Sequence, residues 1–320
     1  MQDFKRYQRL LENTLARQDF DHEPQELYQP ISYILALGGK RLRPALTLAG
    51  CDLFNGELEE ALLPALGIEV FHNFSLVHDD IMDEAPVRRG KKTVHEKWNT
   101  NIAILAGDAM LVKAYQYVAK VDKAILPKVL KCFSSTALEI CEGQQLDMNF
   151  EKMESVAEDD YIEMIRLKTA VLLGAALKIG ALVGRATEAK AHSLYHFGIN
   201  AGLAFQVQDD LLDAFGDPSK FGKKVGGDIL QDKKTLLRIY ARELDPKGTE
   251  ALTQSALSGD AKVQAWQKLF VESGARSKAI EKRDFFLGEA HDALKNAAGS
   301  NQAVAEQLKE FATWLAHRDR

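Results

Sequence analysis

Apolar positions along the chain repeat with the period of an α-helix over most of its length. Residues 108–125 and 161–184 both carry apolar side chains at i, i+3, i+4 and i+7, the spacing that builds one apolar helix face. The second stretch is apolar on nearly every side, which predicts a central buried helix. Alternating runs of β-branched residues, typical of strands, are few, and the 320 residues include only 8 prolines. The pattern predicts an all-α protein.

Breaks in this pattern are short and resemble turns. They fall at 37–39, 54–56, 88–90, 217–219, 226–227 and 245–248, each with a Gly or Pro that favours a turn. None is long enough to be a linker between domains. We therefore expect a single domain over residues 1–320, with the motif-bearing part at about 30–237 and peripheral helices at about 245–320.

Composition and charge limit the function classes. The formal net charge is −5 and the isoelectric point is about 6.0, which argues against general binding to nucleic acid. No run of about 18 uncharged apolar residues is present, so we expect no transmembrane segment. The first 20 residues lack the apolar core of a secretory signal. Cys51, Cys132 and Cys141, without CxxC spacing, predict reduced thiols in a cytoplasmic protein.

Two copies of an acidic pattern, DDxxD, are the most informative motif in the chain. They occupy residues 79–83 and 209–213, stand 130 positions apart, and lie in apolar stretches that read as helix. Aspartates at i and i+4 share one helix face at a spacing of about 6 Å and repel each other.

The apolar flanks of both motifs favour a position near a core, where carboxylates require cations. Mg²⁺ accepts a few aspartate oxygens together with waters and phosphate oxygens. The two motifs therefore predict a diphosphate site bridged by Mg²⁺. The alternative is that each motif is an ordinary solvated helix face.

Basic residues are concentrated at two turns. Residues 38–44 read GGKRLRP and residues 88–92 read RRGKK. Guanidinium groups donate two parallel hydrogen bonds to phosphate, and glycines let the backbone approach a ligand closely. Either turn alone is weak evidence, because a turn rich in Lys and Arg is more often solvated surface, and the first lacks the spacing of a nucleotide-binding P-loop. Together with the acidic motifs, they predict an anionic ligand.

A lysine-rich segment follows the second acidic motif. Residues 221–228 read FGKKVGGD, and residues 232–235 read DKKT. A cationic loop of this kind can close over a bound diphosphate and exclude water. An ordinary exposed loop is the alternative interpretation.

Isolated polar side chains in apolar helices also need an explanation. Lys168, beside Thr169, lies in the most apolar stretch of the chain, where an amine is costly unless paired. It either extends to solvent or reaches an anion. Gln206 shares the helix face of the second acidic motif, three residues before it. His72, seven residues before the first motif, is either an ordinary core histidine or a ligand-binding residue.

Taken together, these motifs resemble the trans-isoprenyl diphosphate synthase family, which includes farnesyl and geranylgeranyl diphosphate synthases. The resemblance rests on ordered matches at 38–44, 72–83 with 88–98, 167–170, 205–213, and 222–229 with 233–235. It implies an all-α, single-domain isoprenoid-synthase helical bundle around a deep central cavity. It also implies a homodimer and three Mg²⁺ ions as cofactors.

The same resemblance implies a role for individual residues. The two motifs that would hold Mg²⁺ on an allylic diphosphate comprise Asp79, Asp80, Asp83, Asp209, Asp210 and Asp213, with Asp79, Asp83 and Asp209 as direct ligands. The allylic diphosphate would also be contacted by Arg88, Lys168 and Lys223, with Lys233 near the closing loop. Isopentenyl diphosphate would be bound by Lys40, Arg43, His72 and Arg89. The developing cation would be flanked by Thr169 and Gln206. Asp232 replaces the more usual Gly or Asn, which affects the expected contacts of that loop.

The implied activity is a head-to-tail condensation of isopentenyl diphosphate with an allylic diphosphate through a carbocation. It needs positioned cations and metal, and no protein nucleophile. The alternative from another class is a terpene cyclase or lyase, which needs no isopentenyl site and normally carries a different second metal motif. The second DDxxD and the two basic turns favour the prenyltransferase.

Bulk beneath the first acidic motif limits product length in this family. Phe74 precedes Asp79 by five residues, about 7 Å along a helix, and Phe71 lies one turn deeper. Ser75 beside them is small, and the motif has no insertion. These features resemble the type with a twenty-carbon product, so we expect geranylgeranyl diphosphate, with farnesyl diphosphate as the alternative. Both aromatic rings are equally consistent with simple core packing.

Overall fold

A computed structural model describes residues 2–20, 22–217 and 225–318 and is helical almost throughout. The helices are α1 (Gln2–Ala16), α2 (Gln25–Ala36), α3 (Leu42–Asp52), α4 (Leu58–Met82), α5 (Val94–Lys97), α6 (Thr100–Val118), α7 (Leu126–Glu151), α8 (Glu158–Ile165), α9 (Val171–Val183), α10 (Glu188–Phe215), α11 (Gly227–Leu230), α12 (Leu236–Leu244), α13 (Pro246–Thr253), α14 (Gly259–Glu272), α15 (Ala275–Ala297) and α16 (Gln302–His317). The predicted all-α fold is confirmed. Within the described ranges, no helix is both long enough and apolar enough to cross a bilayer.

Backbone contacts divide the chain into two compact units. Unit 1 contains the described residues up to Ser134, together with Ala175–His192 and Gly299–Gln307. Unit 2 contains Ser135–Gly174, Ser193–Ala298 and the described residues from Leu308 onward. The first acidic motif and both basic turns belong to unit 1, and the second acidic motif belongs to unit 2.

Unit 1 is organised around α4, which packs against α3 and α6. Small residues allow this close packing. A Cβ placed on Gly67 of α4 would lie 2.5 Å from the Val118 side chain on α6. The neighbouring helix α3 approaches α9 as closely, since a Cβ on Gly50 would lie 2.5 Å from the Leu177 carbonyl oxygen. Because α4 is held on both sides, the end that carries the first acidic motif is fixed by the core.

The first acidic motif is followed by the only strands in the described residues, a hairpin of β1 (Val87–Arg88) and β2 (Lys91–Lys92). Arg89 and Gly90 form its two-residue turn, and both have positive φ angles, 52° and 74°. That combination is the turn whose twist matches a β-hairpin. The basic turn predicted from RRG is therefore a rigid hairpin.

Unit 2 brings α10 against the segment that carries Lys168. A Cβ on Gly202 would lie 2.7 Å from Cα of Ala170, and one on Gly198 would lie 2.6 Å from Cα of Gly174. The glycines on α10 thus allow near contact between two backbones. This contact places the second acidic motif, at the end of α10, on a helix held by the core of unit 2.

The apolar stretch at 161–184 is not one continuous helix. A π turn, Arg166–Ala170, separates α8 from α9, and the Val171 N–H donates to the Arg166 carbonyl, five residues back. A π turn inserts one residue into the helical repeat and is often found at functional sites. Apolar periodicity could not reveal this insertion, because apolar residues continue on both sides of it.

Candidate functional site

The first acidic motif occupies the last turn of α4. Asp80 is fully buried, and Arg88 neutralises it: Arg88 Nε donates to both carboxylate oxygens at 2.9 Å, and Nη2 lies 2.7 Å from Oδ1. Asp79 is partly buried, and Asp83 is exposed at the helix end. The Arg88–Asp80 pair joins the hairpin to α4, so it fixes the position of the neighbouring carboxylates.

A basic group lies beside this motif in unit 1. Arg43 Nη1 is 3.2 Å from Nε2 of His72, and Arg89 donates to the carbonyl oxygen of Gly38. Because a guanidinium can only donate, His72 Nε2 is the acceptor. Lys40 is exposed nearby in the chain, between Gly39 and α3. The four residues predicted to bind isopentenyl diphosphate therefore lie on one loop, two helices (α3 and α4) and one hairpin that pack together.

Burial and mutual repulsion define the electrostatics of the basic group. Burial lowers the pKa of Arg43 to about 10, and Glu69 opposes the shift. Burial lowers the pKa of His72 well below its usual value, and the Arg43 charge lowers it further. Burial also lowers the pKa of Arg89. At neutral pH, His72 is therefore neutral while both guanidinium groups are charged, an arrangement that favours an anionic ligand.

The basic group depends on a buried network that the sequence analysis missed. Arg41 pairs with Glu69 and donates from Nη2 to the Leu35 carbonyl at 2.6 Å. Asn73 donates to Glu69 Oε1 at 2.8 Å. The available signal was a third basic residue in GGKRLRP, but only the fold shows that Arg41 is buried and Lys40 exposed.

The second acidic motif is embedded in polar contacts of unit 2. Asp210 is buried and accepts from the Tyr161 hydroxyl at 2.5 Å and from the Leu236 N–H at 3.4 Å. Asp213 accepts from the Asp228 N–H at 3.0 Å. Asp209 pairs with Arg318, which follows α16. Tyr161 and Arg318 were not predicted, because they lie 49 and 109 residues from their partners.

Negative charge accumulates at this motif. Burial raises the pKa of Asp210 to about 8, and the charges of Asp228 and Asp209 raise it further. Burial raises the pKa of Asp213 to about 6, and Asp228 again adds to the shift. Crowded carboxylates of this kind are stabilised by a cation.

The predicted residues of the π turn find partners within unit 2. Lys168 Nζ lies 2.5 Å from Oδ2 of Asp147 on α7, so the amine in the apolar stretch is paired. Thr169 Oγ1 donates to Gln206 Oε1 at 3.4 Å. The structure thus brings together the two residues predicted to flank a cation, and it adds Asp147, which the sequence analysis did not select.

The lysines of the predicted closing loop are only partly described. Lys233 is exposed, with Nζ 3.4 Å from Oδ1 of Asp228. Asp232, where the sequence departs from the family pattern, pairs with Arg238 and Lys262 at 2.8 and 2.7 Å. Lys223 lies outside the described residues.

The residues predicted to set product length form an aromatic cluster in unit 1. Phe71 is buried, and its ring centroid lies 5.4 Å from that of Phe74 and 5.3 Å from that of Phe133. The Tyr115 and Phe133 centroids lie 4.9 Å apart. Ser75 donates to the His72 carbonyl at 2.9 Å. Phe74 is partly buried, so it forms the outer layer of the cluster and Phe71 the inner one.

The donor chemistry of both motifs fits Mg²⁺. Asp83 is exposed, and its carboxylate makes no hydrogen bond or ion pair among the described residues. Asp213 lies where burial and the neighbouring carboxylates of Asp228 and Asp209 oppose its ionisation. Mg²⁺ typically uses one or two carboxylates and completes its shell with waters and substrate phosphates. No group of three metal-ligating side chains converges within the described ranges.

Comparison with known proteins identifies the family. The family model described as polyprenyl synthetase matches residues 24–272. A geranylgeranyl pyrophosphate synthase from Geoglobus acetivorans is 39% identical over 307 residues, covering 93% of each chain. A geranylgeranyl diphosphate synthase from Methanosarcina mazei is 44% identical over 69% of this chain and 68% of its own. A crystal structure of a geranylgeranyl pyrophosphate synthase superposes with a TM-score of 0.92 at 41% identity and 99% coverage of both chains. The chain therefore belongs to the polyprenyl synthetase family and is a prenyltransferase.

Proposed function

We propose that this protein condenses isopentenyl diphosphate with an allylic diphosphate in a Mg²⁺-dependent reaction and that geranylgeranyl diphosphate is its main product. The observation that carries the proposal is the basic group formed by Arg43, Arg89 and neutral His72. It offers a cationic site for an anion, distinct from the acidic motifs. A prenyl-elongating enzyme needs such a second diphosphate site, whereas a cyclase or lyase does not.

The allylic diphosphate is assigned to the acidic motifs. Asp79, Asp83 and Asp209 would hold Mg²⁺, with three ions in total by the family resemblance. When bound, Mg²⁺ neutralises the diphosphate as it leaves. Lys168, which is 2.5 Å from Asp147, is placed by that pair and can donate to the same diphosphate. Arg88 acts through Asp80, since its guanidinium is held on that carboxylate.

The reaction requires a positioned cation and no covalent intermediate with the protein. The allylic carbon–oxygen bond breaks, its electron pair leaves with the diphosphate, and an allylic cation forms. The Thr169 hydroxyl and the Gln206 amide, 3.4 Å apart, present oxygen dipoles that favour positive charge. The double bond of isopentenyl diphosphate then forms the new carbon–carbon bond, and the released diphosphate takes the proton. Arg43 and Arg89 hold the second substrate in reach.

Chain length is assigned to the aromatic cluster. Phe74 forms its outer layer, and Phe71 packs behind it against Phe133. The names of relatives at 39% and 44% identity support a geranylgeranyl product. Farnesyl diphosphate synthesis is the alternative if the cluster stops growth one unit earlier.

Chromatography of labelled products tests the proposal. Radiolabelled isopentenyl diphosphate is incubated with Mg²⁺ and, in separate reactions, dimethylallyl, geranyl and farnesyl diphosphate. We expect a twenty-carbon product from each primer. Growth that ends at fifteen carbons would identify the farnesyl alternative, and turnover of the primer without isopentenyl diphosphate would identify a lyase.

Phe74→Ala tests the chain-length assignment. Removal of the outer ring should open space beneath the first acidic motif and lengthen the product beyond that of the wild type. Phe285→Ala is a control, since Phe285 is 57% exposed in unit 2 and should leave length unchanged. Products of Phe74→Ala no longer than those of the wild type would show that the ring only packs the core.

We also propose a homodimer. On α6, Leu105 and Val112 are 59% and 58% exposed, and Ile104 is 42% exposed. Leu105 and Val112 are seven residues apart, so they lie on one helix face. Large apolar side chains exposed together on one face are typical of a protein interface, and the α6 face is the proposed contact between subunits.

A further inference from the structure

Glu69 is a buried carboxylate in the middle of α4 that the proposed reaction does not use. Its residue is 4% exposed, and Oε1 accepts both from Arg41 and from Asn73, the latter at 2.8 Å. Asn73 Nδ2 also donates to the Glu69 carbonyl at 2.8 Å, so the carboxylate is held against its own helix. Removing a carboxylate from water is energetically costly, so Glu69 needs its partner Arg41 and holds that guanidinium in one position.

Arg41 connects Glu69 to the loop between α2 and α3. The second arm of its guanidinium, Nη2, donates to the Leu35 carbonyl at 2.6 Å, near the end of α2. Arg41 itself has a left-handed backbone, with φ 47° and ψ 36°. A non-glycine residue pays for this conformation unless side-chain contacts enforce it. The two arms therefore join α2, the loop and α4 at one buried point.

The same loop carries the basic group. Gly38 and Gly39 have φ angles of 73° and 144°, and Arg89 donates to the Gly38 carbonyl. A Cβ on Gly39 would lie 3.0 Å from the Arg89 guanidinium, so the loop and this side chain are in close contact. Lys40 and Arg43 lie on either side of Arg41 in the chain. A shift of Arg41 would therefore move the loop that orients these cations.

Glu69 is also the anion that faces these cations. Its charge opposes the effect of burial on the pKa of both Arg43 and Arg89. Three guanidinium groups in one small region repel each other when no ligand is bound. A single fixed carboxylate beside them reduces that repulsion.

We infer that Glu69, acting through Arg41, is a positioning residue that holds the segment Gly38–Arg43, the loop and the first turn of α3, and its cations in the geometry that binds isopentenyl diphosphate. This inference rests on the proposed function of that loop. Arg41 and Glu69 touch no substrate. Their effect is on the second substrate only, because the acidic motif at the end of α4 is fixed separately by the Arg88–Asp80 pair.

Arg41→Lys is the variant that tests this role. Lysine keeps the charge beside Glu69, but a single amine cannot bond both Glu69 and the Leu35 carbonyl as the guanidinium fork does. We expect the KM for isopentenyl diphosphate to rise about tenfold, with kcat and the KM for the allylic diphosphate within about twofold of the wild type. Glu69→Gln keeps an accepting oxygen but removes the charge that compensates buried Arg41, so the KM for isopentenyl diphosphate should rise several-fold while the KM for the allylic diphosphate stays unchanged.

A matched control and a second variant keep the test decisive. Arg185→Lys makes the same substitution in an exposed ion pair of unit 1, Arg185 with Glu60, and should change no constant. If Arg41→Lys unfolds below the assay temperature, Asn73→Ala replaces it. This variant removes the hydrogen bond from Asn73 to Glu69 and should raise the KM for isopentenyl diphosphate but not the KM for the allylic diphosphate. Unchanged constants in the folded variant, or an equal rise in both KM values, would overturn the inference. Wild-type protein that incorporates no isopentenyl diphosphate would instead refute the proposed function.

Discussion

At the residue scale, the aspartates of the two acidic motifs differ in burial and therefore in what they can bind. Both acidic motifs contain three aspartates, yet Asp80 and Asp210 are buried and used inside their own unit, while Asp83 is exposed. Apolar flanks alone could not separate these roles. Long-range partners, such as Tyr161 for Asp210, depend on the packing of helices distant in sequence.

His72 leads to a prediction about pH. Its pKa is lowered in the folded state, so below about pH 6.5 the unfolded chain binds a proton that the folded chain does not. As the pH decreases below about 6.5, the free energy of unfolding should therefore decrease by up to about 1.4 kcal/mol per pH unit through His72. The variant His72→Gln has no titrating group at this position and should lack this pH dependence of stability. Urea unfolding at pH 7.5 and 5.5 should show the wild type losing stability relative to His72→Gln at the lower pH, whereas a constant difference would mean that folding does not lower the pKa of His72.

Arg318 leads to a prediction about metal binding. Its guanidinium lies on Asp209 and stacks over Phe205 at 4.3 Å, and its carbonyl accepts from Gln208 at 2.8 Å. A guanidinium on the carboxylate competes with a metal ion for the same oxygens. Arg318→Gln should therefore bind inorganic diphosphate in the presence of Mg²⁺ several-fold more tightly by calorimetry. Weaker binding would show that Arg318 assists the ligand and does not compete with metal.

At the element scale, helix periodicity was a sufficient guide to fold class but not to local geometry. The stretch at 161–184 was predicted as one helix, and the structure inserts the π turn at Arg166–Ala170. The RRG turn proved to be a two-stranded hairpin. Both features depend on contacts with neighbouring elements, such as the approach of α7 to the π turn at Gly143. A local pattern of apolar residues carries no information about such contacts.

Gly202 tests the close approach of α10 to the π turn. A methyl group there would lie 2.7 Å from the Ala170 backbone, so Gly202→Ala must push the elements apart. We expect a loss of about 1–3 kcal/mol in the free energy of unfolding, despite the better helix propensity of alanine. Gly288→Ala is the control, because Gly288 lies within α15 and meets nothing within 4 Å. It should stabilise by about 0.5–1 kcal/mol. Equal effects in chemical denaturation would contradict the packing argument.

At the scale of the whole molecule, the predicted family and helical architecture are confirmed by the match over residues 24–272 and by the 0.92 TM-score. The family could be predicted because several motifs occur in the expected order along the chain, although each motif alone is weak evidence. The extent of the single domain, the homodimer and the metal count stay predictions. Each depends on contacts with a second chain, a ligand or the opposite unit, which residue patterns within one helix do not determine.

A single substitution that introduces a charge on α6 tests the proposed contact between subunits. Leu105→Glu places a carboxylate on the exposed apolar face of α6 and should convert the dimer to a monomer in light scattering coupled to size exclusion. Val271→Glu is a control on α14, since Val271 is 53% exposed in unit 2 and should leave the mass unchanged. A wild-type protein that is already monomeric would refute the proposed dimer.

The central claim is that two kinds of diphosphate site coexist: a metal-dependent one at the acidic motifs and a metal-independent one at the basic group. Calorimetric titration with farnesyl thiodiphosphate, which is slow to ionise, and with isopentenyl diphosphate measures both directly. The account predicts that farnesyl thiodiphosphate binds only with Mg²⁺ and that Asp83→Asn weakens it at least about tenfold, while isopentenyl diphosphate binds equally with or without Mg²⁺. Tight binding of farnesyl thiodiphosphate without Mg²⁺, or a Mg²⁺ requirement for isopentenyl diphosphate, would contradict it.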